Sequence, residues 1–185
     1  MQPRIPRQSA QEQDCRRPDV AVDDARLSDE LAAVIAGARR RAVRDGDRQI
    51  DTAHLLHSLL EHDPDVYAVF GEGPGIARLL GYLVQRTIGY GLRWQGTVED
   101  SGAVPVVMGG EGFSPLAASA MEHARRRAAR RGEAQARGLD LLAAIVTDPQ
   151  ARAVEVLTRA GIDANALRAR IDDRRDEYIS GDAAR

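Results

Sequence analysis

The chain has 185 residues, among them 28 acidic side chains, 26 arginines, no lysine, four histidines and one cysteine, for a formal net charge of -2. This balance provides no global positive field to capture nucleic acid or an anionic membrane, and the lack of lysine excludes a Walker A phosphate loop and a Schiff base. No run approaches the roughly 18 apolar residues of a membrane span, and charges stand where a signal peptide needs an apolar stretch. A cytoplasmic protein is the default, and Cys15 has no partner for an intramolecular disulfide.

Taken in chain order, residues 1–26 are polar, charged and punctuated by proline, and read as a disordered tail. From Leu27 the chain reads LSDELAAVIAGARRRAVRDGDRQIDTAHLLHSLL, and from Phe113 it reads FSPLAASAMEHARRRAARRGEAQARGLDLLAAIV; the copies align without a gap, 86 positions apart. A repeat this long fixes the architecture. In each copy the apolar residues, Leu27, Leu31, Val34, Ile35, Ala38 and Ala42 or Phe113, Ala117, Ala120, Met121, Ala124 and Ala128, make one stripe of an amphipathic helix. Ser28 and Ser114 read as N-caps, Pro115 as a first helical residue, and Gly46 and Gly132 as left-handed helix ends.

A second helix follows in each copy, packing Leu55, Leu56, Leu59 and Leu60 or Leu141, Leu142, Ile145 and Val146 back onto the first. Asp63-Pro64 and Asp148-Pro149 both read as cap-plus-proline starts of short helices burying Val66, Val69 and Phe70, or Val154, Val156 and Leu157. After the breaks at Gly73-Pro74-Gly75 and Gly161, fourth helices carry Ile76, Leu79, Leu80, Leu83 and Val84, or open at Asp163 before Leu167 and Ile171. Between the copies, Leu92 to Gln95 and Val104 to Met108 suggest a small hairpin, with Pro105 confining one strand to an edge. The last helix is expected to reach about Tyr178, with Ser180 to Arg185 frayed.

The doubled pattern resembles the Clp N-terminal repeat. Thr52-Ala53-His54-Leu55-Leu56 is similar to the T-E-H-[LI]-L signature, and Gly112-Phe113-Ser114-Pro115 to the F-[ST]-P opening of the second copy. The nearest likeness is to the N-domains of ClpC-type unfoldases, here as a stand-alone chain without ATPase modules. The resemblance implies an all-α fold of two four-helix repeats related by a pseudo-twofold axis. The expected organisation is a tail 1–26, a double repeat 27–176 (27–86, linker 87–112, 113–176) and a frayed end 177–185. It also implies a non-catalytic, cofactor-free, monomeric binding module whose partners are Clp unfoldase or protease components, client or adaptor proteins, and cyclic-peptide antibiotics, and which modulates or shields a Clp protease. The implied ligand site lies at the seam between repeats, with Leu27, Ser28, Phe113, Ser114 and Asp140 as its candidate residues. The acidic residue of T-E-H, which reads phosphoarginine in that family, is replaced here by Ala53 and Leu139.

Other chemistry is weaker. His54, His57 and Glu61 share one helix face at i, i+3 and i+7 with His62 beside them, but this spacing matches no metalloprotease signature, and no metal site is assigned. The glycines between Gly71 and Gly75 follow a helix and lack a lysine, so they read as a turn. Ser28, Ser114 and Ser119 read as caps and surface residues. The arginine runs Arg39 to Arg41 with Arg44, and Arg125 to Arg127 with Arg130 and Arg131, support the alternative of a nucleic-acid-binding helical protein, diluted by Asp45, Asp47, Glu122 and Glu133.

Overall fold

The repeated stripe becomes helical wherever a side chain caps its start and a glycine turns its end. The computed structural model describes residues 27–87, 99 and 112–182, with side chains described up to 85, at 99 and from 112 to 174. Helix α1 (Asp29–Asp45) begins where the Ser28 hydroxyl accepts the Leu31 N–H at 3.2 Å. It ends at Gly46, with φ 74°, where the Gly46 and Asp47 N–H groups donate back to the Val43 and Ala42 carbonyls. This left-handed closure satisfies carbonyls that the last turn would otherwise leave unpaired. Its counterpart α5 (Pro115–Arg130) starts on Ser114, which accepts the Ala117 N–H at 3.1 Å, and closes through Gly132 and Glu133 in the same way.

Helix α2 (Thr52–His62) is capped by Asp51, which accepts the His54 N–H at 2.9 Å, and every residue from Thr52 to Leu60 is buried. It packs on α1 and also on α3 (Pro64–Phe70), α5, α6 (Gly138–Ile145) and α7 (Arg152–Ala160). A helix enclosed on so many sides needs room for close neighbours. Gly37 supplies it, since a Cβ there would stand 2.3 Å from the Ser58 hydroxyl, which donates to the Val34 carbonyl. Leu55, Leu56, Leu59, Leu141 and Leu142 are all fully buried. Two longer helices, α4 (Pro74–Thr87) and α8 (Ala164–Asp182), complete the eight helices among the described residues.

The halves contact each other reciprocally. Helix α4 packs on α7 as α8 does on α3, and α2 packs on α7 as α6 does on α3. Two isolated parallel bridges, Leu27 with Ala136 and Ile50 with Phe113, are the same bridge with the copies exchanged. That reciprocity is what a twofold-related duplication requires.

Several expectations need correction. Asp63 does cap α3, accepting the Val66 N–H at 3.0 Å, but Asp148-Pro149 does not start α7. Asp148 instead accepts the Gln150 N–H within a turn, and the helix begins at Arg152, whose N–H and that of Ala153 bond to Glu99 and Thr52. Capping groups from outside the segment therefore set this start. Val84 is 52% exposed because the core-facing stripe of α4 runs through Ile76, Leu79 and Leu83, and Val154 is only half-buried. Asp163 caps α8 as expected, yet that helix runs to Asp182, past Ser180. The tail and the hairpin expected at 92–95 and 104–108 lie outside the described residues.

Candidate functional site

The seam between the repeats is built on the start of α2. Helix N-termini present unpaired N–H groups and positive partial charge, and here two of them converge, those of α2 and α7. Glu99, only 4% exposed, brings a carboxylate to both. Its oxygens accept the Thr52 N–H at 2.9 Å, the Arg152 N–H at 2.7 Å and the Ser114 hydroxyl at 2.6 Å, and the Thr52 hydroxyl donates to it as well. The Thr52 oxygen in turn accepts the Ala153 N–H at 3.0 Å, and Arg152 Nη1 bonds Asp51 Oδ2 at 2.8 Å. One linker carboxylate thus joins both repeats, with charge-assisted bonds in a dry setting.

The predicted site residues divide between this seam and its counterpart. Phe113, partly buried, bridges to Ile50, and Ser114 at 1% exposure both caps α5 and holds Glu99. Leu27 and Ser28 lie at the other seam, where Leu27 bridges to Ala136 and the Ser28 N–H donates to the Ala136 carbonyl. Asp140 is wholly buried, accepting from Arg131 Nη2 at 2.6 Å and the Arg137 N–H at 3.1 Å, with Arg127 Nε 3.6 Å away. Sequence reasoning missed Glu99 and Thr52. Glu99 lies in a stretch without helical period, so nothing local singles it out, whereas Thr52 is the helix-opening residue of the signature and was a readable signal.

Beside the first seam lies a depression of about 380 Å³, whose walls include Thr52, Leu116, Ser119, Ala120, His123 and Pro149. Ala53 is fully buried and Leu139 half-buried, so neither position of the missing acid offers a carboxylate. The histidine face of α2 does not converge. His57 Nε2 stands 3.9 Å from Glu61, which Arg41 pairs with, and His62 Nδ1 lies 3.0 Å from the Ser58 carbonyl. Burial, reinforced by Arg41, pushes the His57 pKa down to about 4. Burial raises that of Asp63. Many arginines of the two runs are internally paired: Arg41 with Glu61, Arg126 with Glu122, Arg127 with Asp172, and Arg131 with Glu133 and Asp140.

Paired four-helix sets that share reciprocal bridges and a polar seam define a duplicated helical repeat module. Residues 112–182 match the family model described as the Clp repeat (R) N-terminal domain. The structure is similar to the N-terminal domain of ClpD, the caseinolytic protease associated chaperone of Arabidopsis thaliana, with a TM-score of 0.60 and 21% identity over 82% of this chain and 95% of that one. It is also similar to a structure from work on a malarial protein secretion system, with a TM-score of 0.57 and 12% identity over 80% of this chain and 94% of that one. No curated protein matches the sequence. The family match thus falls on the second repeat, while the likeness of fold extends over both, and the described part of the chain is all-α.

Proposed function

We propose that the chain is a non-catalytic, monomeric module of the cytoplasm that holds peptides or proteins for a Clp protease system. Its partners are Clp unfoldase or protease components, clients, adaptors and cyclic-peptide antibiotics, and by occupying them it modulates or shields the protease. The observation that carries this reading is the depression beside the first seam. Its volume of about 380 Å³ suits the side chains of a docked peptide. Apolar walls from Leu116 and Ala120 are joined there by polar atoms of Thr52, Ser119 and His123, and the buried Glu99 network beneath fixes its shape in advance of binding. No described helix is long and apolar enough to cross a membrane.

The test is an immobilised chain exposed separately to a Clp ATPase, a Clp peptidase and a ClpC-directed cyclic peptide, with binding heats for whichever is retained. Retention that Ser119→Arg abolishes, by filling the depression from its half-buried rim, is the expected result. Failure of all three ligands to bind, or binding indifferent to Ser119→Arg, would overturn the reading.

A further inference from the structure

The outer face of α1 carries a charge that its copy neutralises. In the second repeat Glu122 serves the arginines that follow it on α5: Arg126 Nε stands 2.8 Å from one carboxylate oxygen and Arg125 Nη1 4.0 Å from the other. The matching residues of the first repeat are Ala36, Arg39 and Arg40, so a methyl group replaces the carboxylate while both guanidiniums are kept. Arg39 and Arg40 are exposed, and among the described residues neither has a hydrogen bond or ion pair. Arginines three and four residues after an acid are satisfied on their own helix. Without that acid they are open to one from elsewhere.

These two arginines edge an apolar groove. Ile35, Ala36 and Val43, with Leu27 at the near end, line a depression of about 650 Å³ along α1. Val43, where the second repeat has the smaller Ala129, is 75% exposed. An aliphatic side chain at that exposure, beside two guanidiniums without a described partner, fits a segment that is at once apolar and acidic. Its aliphatic groups would displace water from Ile35 and Val43, and its carboxylates would take the forked guanidinium donors.

The chain carries such a segment next to the groove. Residues 1–26 lie outside the described part and join it at Leu27, itself a wall of the groove. Their last stretch before Arg26 is Asp19-Val20-Ala21-Val22-Asp23-Asp24-Ala25, three acids and four apolar residues with no base among them. Reach agrees with composition. Arg39 to Val43 stand ~17 to 22 Å along α1 from Ser28, which about five to seven extended residues span, so a chain running back along the helix brings Ala21 to Asp23 level with them. We propose that residues 19–25 dock in cis along the outer face of α1, with Val20 and Val22 against Ile35 and Val43 and the acids Asp19, Asp23 and Asp24 on Arg39 and Arg40. The tail then supplies the charge that Glu122 supplies in the other repeat, and it closes this groove to any acidic partner segment that does not outcompete it.

A nitroxide on the full chain tests this, attached at Ala21→Cys in a Cys15→Ser background and read by amide NMR. The expected result is loss of the Ile35, Ala36, Arg39 and Val43 amide signals, with those of α8 intact. Arg39→Glu with Arg40→Glu should restore the signals, and adding Asp19→Arg, Asp23→Arg and Asp24→Arg should remove them again. Val20→Ser with Val22→Ser, which leaves every charge in place, should also restore them. All these positions are exposed or lie in the tail, so circular dichroism should show the fold unchanged. Sharp α1 amides in the tagged chain, or broadening indifferent to Arg39→Glu with Arg40→Glu, would overturn the proposal. So would broadening of an isotope-labelled, untagged chain mixed with an unlabelled, tagged one, because the tail would then be reaching a second copy.

Discussion

The two repeats lay nearly the same backbone over opposite chemistry, and their seams show how. At the first seam Thr52 opens α2, and its hydroxyl and N–H hold Glu99, a carboxylate from the distant linker. At the second, the matching position is Gly138, where a Cβ would stand 1.9 Å from Asp63 Oδ2, so the carboxylate of a neighbouring helix cap fills the space a side chain would take. Duplication fixed where a carboxylate is needed, beside two helix starts, and not which residue supplies it. The same holds inside the core, where buried His57 has the aliphatic Ala143 as its counterpart.

The largest effect should be one in which the repeats do not differ. Leu56→Ala and Leu142→Ala both remove a fully buried side chain, and each should lower unfolding free energy by about 2 to 5 kcal/mol in urea titrations. A clear inequality would show that one repeat relaxes around cavities more readily than the other. Next, Glu99→Gln removes a charged acceptor from four donors and should cost about 1.5 to 3 kcal/mol, whereas Asp63→Asn keeps a competent cap and should cost less than about 1 kcal/mol. Equal losses would erase the distinction between the seams. Gly138→Ala should then cost about 0.5 to 2 kcal/mol, the value of the cap it dislodges; no loss would mean Asp63 moves aside freely.

The smallest effect is one of pH. Folded His57 binds its proton more weakly than the unfolded chain does, so its contribution is fully present above about pH 6.5 and declines as pH falls toward about 4. Replacing it as the second repeat does, with His57→Ala, should flatten the slope of denaturation midpoint against pH across that window. An unchanged slope would place the titration elsewhere. Asp63, with its pKa raised, works in the opposite sense: its ionisation weakens the fold as pH rises through its folded value, so acid relieves that cost.

The helices and their core were legible because Ser28, Ser114, Gly46 and Gly132 act locally, and a stripe at helical spacing needs no knowledge of what it packs against. Leu55, Leu56, Leu141 and Leu142 lie where the pattern puts them. What sequence could not reveal depended on partners from afar. The start of α7 follows from Glu99 and Thr52, and the charge cluster at His54 draws on Asp45 and Asp47 from the preceding turn, so a search along one face of α2 paired His54 with His57 and Glu61 instead. One signal was available: at the same offset, the first copy reads Asp-Gly-Asp where the second reads Arg-Gly-Glu.

The exchanged bridges also bear on how the chain reaches this state. Leu27 and Phe113 stand at the openings of their own repeats, yet each is laid against the other half, at Ala136 and Ile50. These pairings join residues distant along the chain, so loop closure comes before any gain from them, and assembly should be slower than local helix formation alone would allow. A repeat folding by itself leaves its opening residue without that support. The backbone amides of Ser28 and Ser114, which donate across the seams at 3.1 and 2.8 Å, should therefore exchange hydrogen with solvent only when the two halves part.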